Sequence, residues 1–577
     1  MNSLALLACV CWPLLLVAGL VVRQARPASR VLAPWAALPA LLVCVPGAID
    51  AEFAWLLLGA RLGFDAIAAV MLPVTAGLWL AAGVFAQGYL RPGRRRDVFF
   101  AWFLVAMSGN LLLLVALDTI TFYLGFALMS FASYGLVVHE GNARARHAGR
   151  YYISMVMAGE VCIIAALMML ASRAELDFAA LRAAFVDDPA GRNDLIVGLL
   201  VVGFGIKAGV FGLHFWLPLA HPVAPAPASA VLSGAMIKAG LIAWMRLLPL
   251  GEMALPAWGT ALIVLGLFTA YYGVLAGLPQ REAKTVLAYS SISQMGVMTT
   301  AIGLGLAFPA QWPLLFAALL VYMAHHSLVK GGLFLGAGLV QHPLRPAVAR
   351  IVALVLSLGA LALAGGPLTG GLVAKLALKH TAEHITEPWH TWVPLLLVLS
   401  SVLTALLMLR FLWIAWPRAA SRAASPALAV SVSWLALLAA WLMVPWVLAT
   451  HALRAEAAGL AAAWSASWPV VLAGAIAMTA LGLRRAGRLP AMPPVPAGDL
   501  GISLERALGR LGGTLGRLAS ETLPRGREGL RGVAGSVIRS VPRWAERLGH
   551  GEARITAWSM TGMLVFLLAV SFAWLLA

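Results

Sequence analysis

The stretch "GFGIKAGVFGLHFWLPLAHPVAPAPASAVLSGAMIKAG", residues Gly203–Gly240, places Lys207 and Lys238 inside two otherwise apolar runs. The chain has 577 residues, of which 62% are hydrophobic and 11% charged, and a water-soluble core does not explain that composition. Runs of roughly 18 or more apolar residues are long enough to cross a bilayer as helices. The sequence therefore predicts an all-α polytopic membrane protein with about 16 transmembrane helices.

The predicted spans, numbered 1 to 16, lie near residues 3–22, 32–49, 64–89, 98–117, 119–138, 150–172, 194–219, 224–249, 256–279, 284–307, 311–340, 348–380, 391–416, 428–450, 466–484 and 555–577. They divide the chain into six regions: spans 1–3 in residues 1–96, spans 4–8 in 97–249, spans 9–13 in 250–416, spans 14–15 in 417–484, a polar segment in 485–554, and a last anchoring span in 555–577.

Arginines indicate the orientation. They are concentrated in the loops that follow odd-numbered spans, as in "RPGRRR" at 91–96, whereas loops after even spans are acidic or mixed. Of the eight odd loops, only the one after span 7 lacks a basic residue. The positive-inside rule then places the odd loops in the cytoplasm and both termini outside, as in a bacterial-type inner membrane. The net charge of +18 therefore indicates topology, and we expect no nucleic-acid partner.

The polar segment 485–554 opens with the Pro-rich "LPAMPPVPAGD" and then repeats apolar residues at spacings of three and four. Such a stripe is typical of amphipathic helices that lie on a membrane surface. We expect a lateral amphipathic helix segment on the cytoplasmic surface. A solvated basic tail is the alternative.

Lysine is rare in this chain: only six of its 41 basic residues are lysines, at positions 207, 238, 284, 330, 375 and 379. Lys207, Lys238, Lys330 and Lys375 lie inside predicted spans, where each lysine costs about 2.5–3.5 kcal/mol if left uncompensated. Unlike arginine, a desolvated lysine can release and regain a proton. The row predicts a proton path, and structural pairing of each lysine is the alternative.

Two spans contain helix breakers next to these lysines. Span 7 carries Gly212 and Pro218 after Lys207, and span 12 carries "GGPLTGG", with Gly366, Pro367 and Gly370, before Lys375. Broken helices in paired positions indicate a transport site, because unwound backbone at membrane depth is tolerated where it lines a cavity. Since spans 7 and 12 are five apart, they suit two inverted five-helix repeats, spans 4–8 and 9–13.

These residues resemble a known family. The run "KAGVFGLHFWLPLAHPVAPAPASAVLSGAMIK" is similar to the signature of antiporter-like membrane subunits of complex I, Mrp antiporters and membrane-bound hydrogenases, especially the hydrogenase-4 component B branch. "QREAKTVLAYSSISQMG", "HHSLVKGGLFLGAG" and "GGPLTGGLVAK" resemble further motifs of the family. The resemblance covers roughly residues 60–420, and the amphipathic tail with its last span resembles the family's lateral helix.

The resemblance implies roles for single residues. Lys207 would bind the proton of the first half-channel, and Lys238 would be the connecting lysine. His325, His326 and Lys330 would form a central relay, and Lys375 would end the second half-channel. His214 also falls within a span and is a candidate for the path, with a packed core histidine as the alternative.

The fifth span departs from the family pattern. A glutamate usually stands where "GFALMSFASYGLV" has Ala127, so the usual carboxylate partner of Lys207 is missing. Glu160, in "VMAGEVCII", and Asp118, at the boundary of spans 4 and 5, could replace it. We expect Glu160 to be the substitute, since a buried lysine keeps its charge beside a carboxylate. A helix-packing acid is the alternative.

The resemblance implies a proton-translocating subunit of a redox-driven membrane complex, with other membrane subunits, protons and the lipid bilayer as partners. The subunit would not be catalytic by itself. No cysteine cluster, nucleotide-binding motif or haem motif is evident, so we expect no catalytic residue, cofactor or metal. The alternatives are a subunit of a multi-subunit Na+/H+ antiporter, with Na+ as the coupled ion, and a non-conducting structural subunit.

Overall fold

The computed structural model describes residues 2–499 and 501, with gaps at 45–49, 55, 57–58, 188–191, 384, 387, 424, 489, 491–494 and 500. All contacts described below lie within residues 2–498. The predicted sixteenth span and most of the predicted lateral helix segment lie outside the described residues. Within the described part the chain forms 21 α-helices and one two-stranded antiparallel sheet.

The N-terminal region contains α1 (Asn2–Val21), α2 (Arg26–Leu32), α3 (Leu38–Val43), β1 (Ala51–Phe53), β2 (Ala60–Leu62) and α4 (Ala66–Tyr89). The predicted span 2 is not one helix. A 3-10 turn follows α2, and α3 has only six residues. Pro34 and Pro39 explain the interruption, because proline has no N–H to continue a helical hydrogen-bond ladder.

The next region contains α5 (Arg94–Val115), α6 (Thr119–Val137), α7 (Ala143–Ala171), α8 (Phe178–Asp187), α9 (Arg192–Ala208), α10 (Trp216–Val223), α11 (Ala226–Val231) and α12 (Lys238–Leu247). Span 7 is thus broken between α9 and α10. Span 8 is continuous, but a π-helical segment, Leu232–Met236, joins α11 to α12.

The rest of the described chain contains α13 (Pro256–Gly277), α14 (Ala283–Ala307), α15 (Trp312–Leu339), α16 (Pro346–Ala364), α17 (Gly370–Ala382), α18 (Trp389–Ile414), α19 (Leu428–Leu448), α20 (His451–Ala457) and α21 (Leu460–Arg485). Span 12 is broken between α16 and α17. Two consecutive helix pairs pack closely through facing glycines, as membrane helices do. Gly109 faces Gly125 between α5 and α6, and Gly266 faces Gly296 between α13 and α14.

Contacts between loops separate the two ends of the bundle. Loops after odd spans contact one another through the ion pairs Arg30–Asp97 and Arg144–Glu282. Loops after even spans do the same through Arg61–Asp177 and Arg182–Glu252. Arg30 and Arg61 therefore lie at opposite ends of the bundle, although span 2 is not a single helix.

Twelve helical segments in the described residues are long and apolar enough to cross a membrane, which confirms a polytopic all-α membrane protein. Helices α9, α14 and α17 are not among them. With 17 and 13 residues, α9 and α17 are short, whereas α14 has 25 residues but many serines and threonines. These three helices carry Lys207, a row of hydroxyl groups and Lys375.

Candidate functional site

Lys207 lies in the last turn of α9, which ends because Gly209 takes a left-handed conformation with φ 70°. The lysine is 3% exposed, and its Nζ donates a hydrogen bond of 3.4 Å to Tyr152 Oη. Three aromatic rings surround the ammonium group at 5.8–6.0 Å from their centroids: Phe126, Tyr152 and Trp216. These rings stabilise the cation where water is scarce.

Glu160 shares a small cavity with Lys207. Both side chains line a space of about 10 Å³, roughly what one water molecule requires. Neither carboxylate oxygen of Glu160 has a partner with strict hydrogen-bond geometry among the described residues, although the Tyr123 hydroxyl is near enough for a weak hydrogen bond and the Lys207 ammonium for an electrostatic interaction. A buried carboxylate that lacks well-formed hydrogen bonds is costly, so this cavity suits a bridging water or an approaching proton.

The other candidate acid is engaged elsewhere. Asp118 caps α6, since Oδ1 accepts from the Thr121 N–H at 2.8 Å and Oδ2 accepts from the Arg61 N–H at 2.8 Å. Its position is nine residues, or roughly 13 Å along the helix, from Ala127. Of the two acids, Glu160 is the one that lines a cavity with Lys207.

The break after α9 extends from Gly209 to Phe215. Gly212 lies within it with φ 83°. Pro218 lies in the first turn of α10 and not in the break. The helix tolerates proline at this position because the N–H groups of first-turn residues have no intrahelical acceptor. His214 is fully buried in the break, and its ring packs against Phe211, Phe215 and Tyr272.

Lys238 follows the π-helical segment of span 8. In a regular α-helix the Ile237 N–H would bond to the Ser233 carbonyl, but here it bonds to the Leu232 carbonyl at 3.2 Å. The released Ser233 carbonyl accepts a 2.6 Å hydrogen bond from Lys238 Nζ. The π segment thus provides an acceptor for a fully buried lysine.

A serine bridge connects Lys238 to Lys330. The Ser233 and Ser291 hydroxyls are 2.7 Å apart, and Ser291 Oγ donates to the Leu287 carbonyl at 3.0 Å. Because Ser291 has a single hydroxyl hydrogen, Ser233 must donate to it. Lys330 Nζ donates to the same Leu287 carbonyl at 2.8 Å. Four groups therefore lie between the two lysines: the carbonyl and the hydroxyl of Ser233, the Ser291 hydroxyl and the Leu287 carbonyl.

His325 and His326 lie in α15, one turn before Lys330. Both rings are buried, and their nitrogen atoms have no partner with hydrogen-bond geometry among the described residues. His325 lies against the start of α17, where a Cβ on Gly370 would come within 3.2 Å of Nδ1. Gly370 is the first residue of α17 and does not form part of the break. Its lack of a side chain permits the close packing against His325.

The break in span 12 positions Lys375. Gly365 ends α16 in the left-handed region with φ 80°, and Gly366 and Pro367 follow within the break. Next comes Leu368 with φ 59°, a conformation that strains a residue other than glycine. Strain of this kind is found where the surrounding structure holds a functional site in place.

Lys375 Nζ donates to the Ala364 carbonyl at 2.7 Å and to Ser401 Oγ at 2.9 Å. The Ala364 carbonyl is available because α16 ends there. Lys375 also lines a cavity of about 160 Å³, to which Tyr322 contributes. This volume is large enough for several water molecules. Both terminal lysines thus lie beside a helix break and a cavity.

Several polar residues of the site are not among the sequence candidates. They are Ser233, Ser290, Ser291, Gln294, Tyr322, Ser401, Thr404 and His221. Tyr322 donates to Gln294 at 2.8 Å and Gln294 donates to Thr404 at 3.2 Å, between the serine bridge and the Lys375 cavity. The run "YSSISQ" at 289–294 was the available signal, because a polar run inside a span marks an inward face.

Residues 116–385 match the family model described as NADH:quinone oxidoreductase/Mrp antiporter, transmembrane. The chain is 32% identical over 290 residues to hydrogenase-4 component B of Escherichia coli, covering 48% of this chain and 43% of that protein. It is 30% identical over 390 residues to NADH-quinone oxidoreductase subunit N of Desulforudis audaxviator, covering 64% of this chain and 76% of that protein. The match thus spans less than half the length of the first relative.

A third relative is a Na+/H+ antiporter component of Bacillus subtilis, which is 26% identical over 367 residues, covering 61% of this chain and 72% of that protein. The fold is similar to that of a chain in the Mrp complex from Dietzia sp., with a TM-score of 0.65 and 20% sequence identity. That likeness covers 99% of this chain and 63% of the other. It supports the fold alone.

Proposed function

Because this chain belongs to the NADH:quinone oxidoreductase/Mrp antiporter family of membrane subunits, we propose that it conducts protons through its row of buried lysines. The path begins at Lys207 with Glu160 and continues through Lys238. It then passes Lys330 with His325 and His326, and ends at Lys375. His214 lies beside the first break and would act near its entrance.

The serine bridge between Lys238 and Lys330 carries this proposal. Lys238 and Lys330 each have a helix carbonyl as acceptor, as a structural lysine would, so the bridge between these acceptors is the distinguishing feature. Here Ser233 accepts from Lys238 through its backbone carbonyl, and its hydroxyl is linked through Ser291 to the Leu287 carbonyl that accepts from Lys330. A proton that arrives at one lysine therefore changes the electrostatic energy of the other, since charges interact strongly at low dielectric.

Glu160 takes the role of the absent carboxylate at Ala127. When Lys207 is protonated, the carboxylate and the aromatic rings stabilise its charge. When the proton leaves toward Lys238, Glu160 remains as an unpaired anion, which attracts the next proton into the water-sized cavity. The pair would thus link proton release to proton uptake.

The architecture proposed for this path is two inverted five-helix repeats, spans 4–8 and 9–13. Three features support it: the breaks in spans 7 and 12, the lysine beside each break, and the glycine-packed pairs α5–α6 and α13–α14 at corresponding positions. We place the Arg-rich loops in the cytoplasm and the termini outside. The segment 485–554 would lie laterally on that surface, with 555–577 as its anchor.

We assign the chain to a redox-driven complex of the bacterial-type inner membrane, where neighbouring membrane subunits transmit the driving force. The names of two relatives, a hydrogenase component and a quinone oxidoreductase subunit, favour that setting. A component of a Na+/H+ antiporter is the second candidate, because the Bacillus subtilis relative carries that name.

The test is proton translocation by the whole complex in inverted membrane vesicles, measured together with its redox rate. Lys207→Ala and Glu160→Gln should each abolish translocation, because each removes one half of the exchanging pair. Glu52→Gln is the matched control, since Glu52 lies exposed in β1, far along the chain from the lysine row. If neither Lys207→Ala nor Glu160→Gln affects translocation, the chain is a structural subunit.

Removing Na+ from the assay distinguishes a redox-driven proton subunit from a component of a Na+/H+ antiporter. A redox-driven proton subunit should translocate charge at the same rate with or without Na+ and stop when the redox substrate is absent. A Na+/H+ antiporter would show Na+-dependent proton movement without any redox substrate.

A further inference from the structure

A groove runs along the outer side of α4 and α19. It has a volume of about 450 Å³ and is lined almost wholly by apolar residues, among them Ala69, Gly77, Val84, Val432 and Val444. Ala69 and Val84 are fifteen residues apart, so the groove follows α4 for roughly 22 Å, which is longer than the roughly 15 Å hydrocarbon thickness of one leaflet. Its open side leaves Val432 55% exposed.

The groove ends at a basic cleft. Where α4 ends and α19 begins, a second space of about 720 Å³ is lined by Arg91, Arg95, Arg96, His139 and Glu140. The same two helices border both spaces, since Gly88 and Val430 line the cleft just beyond the last groove residues. The apolar groove and the basic cleft are thus consecutive along one helix pair.

The cleft has an excess of positive charge. Three guanidinium groups face one carboxylate, and burial lowers the pKa of His139, so this ring is neutral near pH 7. Arg95 donates from Nη2 to the His139 and Glu140 carbonyls, which fixes its position and leaves other N–H groups for a ligand. Arg91 is exposed.

We propose that the α4–α19 groove and its cleft hold one anionic glycerophospholipid, with an acyl chain in the groove and the phosphate at the arginines. Such a lipid joins both chemistries in one molecule in the order found here. Basic pockets between membrane helices at the cytoplasmic side bind anionic headgroups, whereas an apolar partner helix would leave the arginines unmatched. This inference is independent of the proposed proton path.

Native mass spectrometry of the full chain tests the site. The delipidated protein in mild detergent is titrated with dioleoyl phosphatidylglycerol and, separately, with dioleoyl phosphatidylcholine. We expect one phosphatidylglycerol to bind about tenfold more tightly than phosphatidylcholine, because phosphatidylglycerol has a net negative charge whereas the choline ammonium of phosphatidylcholine balances its phosphate and is repelled by the arginines. Equal binding of both lipids would overturn the proposal.

Gly77→Leu should block the acyl chain without disturbing the fold, because a Cβ at this position meets no atom within 4 Å. Gly474→Leu in α21 is the matched control, since its surroundings are equally open and it lies outside the groove. We expect the bound phosphatidylglycerol to be lost in Gly77→Leu and retained in Gly474→Leu. Unchanged binding in both variants would place the lipid elsewhere.

Arg91→Gln with Arg95→Gln tests the headgroup contact. This double variant should lower affinity for phosphatidylglycerol about tenfold and remove the preference over phosphatidylcholine, whereas Arg281→Gln, at an exposed position in another loop, should not. A helix of a neighbouring subunit is the competing occupant. If Gly77→Cys in the intact complex forms a cross-link to another subunit and phosphatidylglycerol is absent, the proposal is wrong.

Discussion

Ser291→Ala should slow proton translocation without unfolding the protein. The Ser291 hydroxyl makes two hydrogen bonds, one to Ser233 Oγ at 2.7 Å and one to the Leu287 carbonyl at 3.0 Å, and the side chain is fully buried. Each bond contributes about 1 kcal/mol net. If that loss of about 2 kcal/mol falls on proton transfer between Lys238 and Lys330, the rate falls roughly 30-fold.

Ser293→Ala is the matched control. Ser293 lies in the same helix and is 2% exposed, but its hydroxyl has no hydrogen-bond partner among the described residues. Proton uptake into inverted vesicles is followed with a pH-sensitive dye while the redox rate is recorded. We expect the ratio of protons to electrons to fall in Ser291→Ala, to remain normal in Ser293→Ala, and to recover in Ser291→Thr, which restores a hydroxyl. Equal proton-to-electron ratios in Ser291→Ala and wild type would refute a role of the serine bridge in proton transfer.

Two further predictions concern stability and the carboxylate. Arg246→Leu should destabilise the protein by about 3–5 kcal/mol, because Arg246 is 2% exposed and donates to Asp65 at 2.8 Å, whereas Arg61→Leu breaks an exposed pair and should cost about 0–1 kcal/mol. Thermal unfolding of the purified protein compares the two variants. Equal unfolding midpoints would contradict a larger contribution from the Arg246–Asp65 pair, in which the guanidinium is buried and the carboxylate is 32% exposed. Ala127→Glu should restore translocation to Glu160→Gln, since it returns a carboxylate to the fifth span; a double variant as inactive as Glu160→Gln would argue against a shared role.

Hydropathy predicted most of the membrane helices, since a bilayer requires long apolar segments whatever their tertiary contacts. The breaks in spans 7 and 12 were also predictable, because glycine and proline act through local backbone geometry. The wrong prediction of a single helix for span 2 also reflects the effect of proline on local backbone geometry. Apolar content indicated a span, but Pro34 and Pro39 interrupt the helix. Side-chain type alone could not show where Pro218 and Gly370 lie within their helices.

The π-helical segment was not predictable. "LSGAM" at 232–236 has no marker that distinguishes it from a regular helix, and the extra residue is held there by packing and by Lys238 Nζ. The buried lysines stood out because charge is rare in spans. Their hydroxyl partners did not, because serine and threonine are common in membrane helices. Pairing Ser291 with Ser233 needs the packing of two helices that are distant in sequence.

In the proposed path, protons pass between the two halves of the chain through Lys330. Lys330→Arg tests this step most directly, because arginine keeps the positive charge but is effectively always protonated. The measurement is the number of protons translocated per electron pair by the whole complex in vesicles. We expect Lys330→Arg to lower this number while electron transfer continues. A normal number would show that the buried cation is needed for its charge alone and that protons do not pass through it.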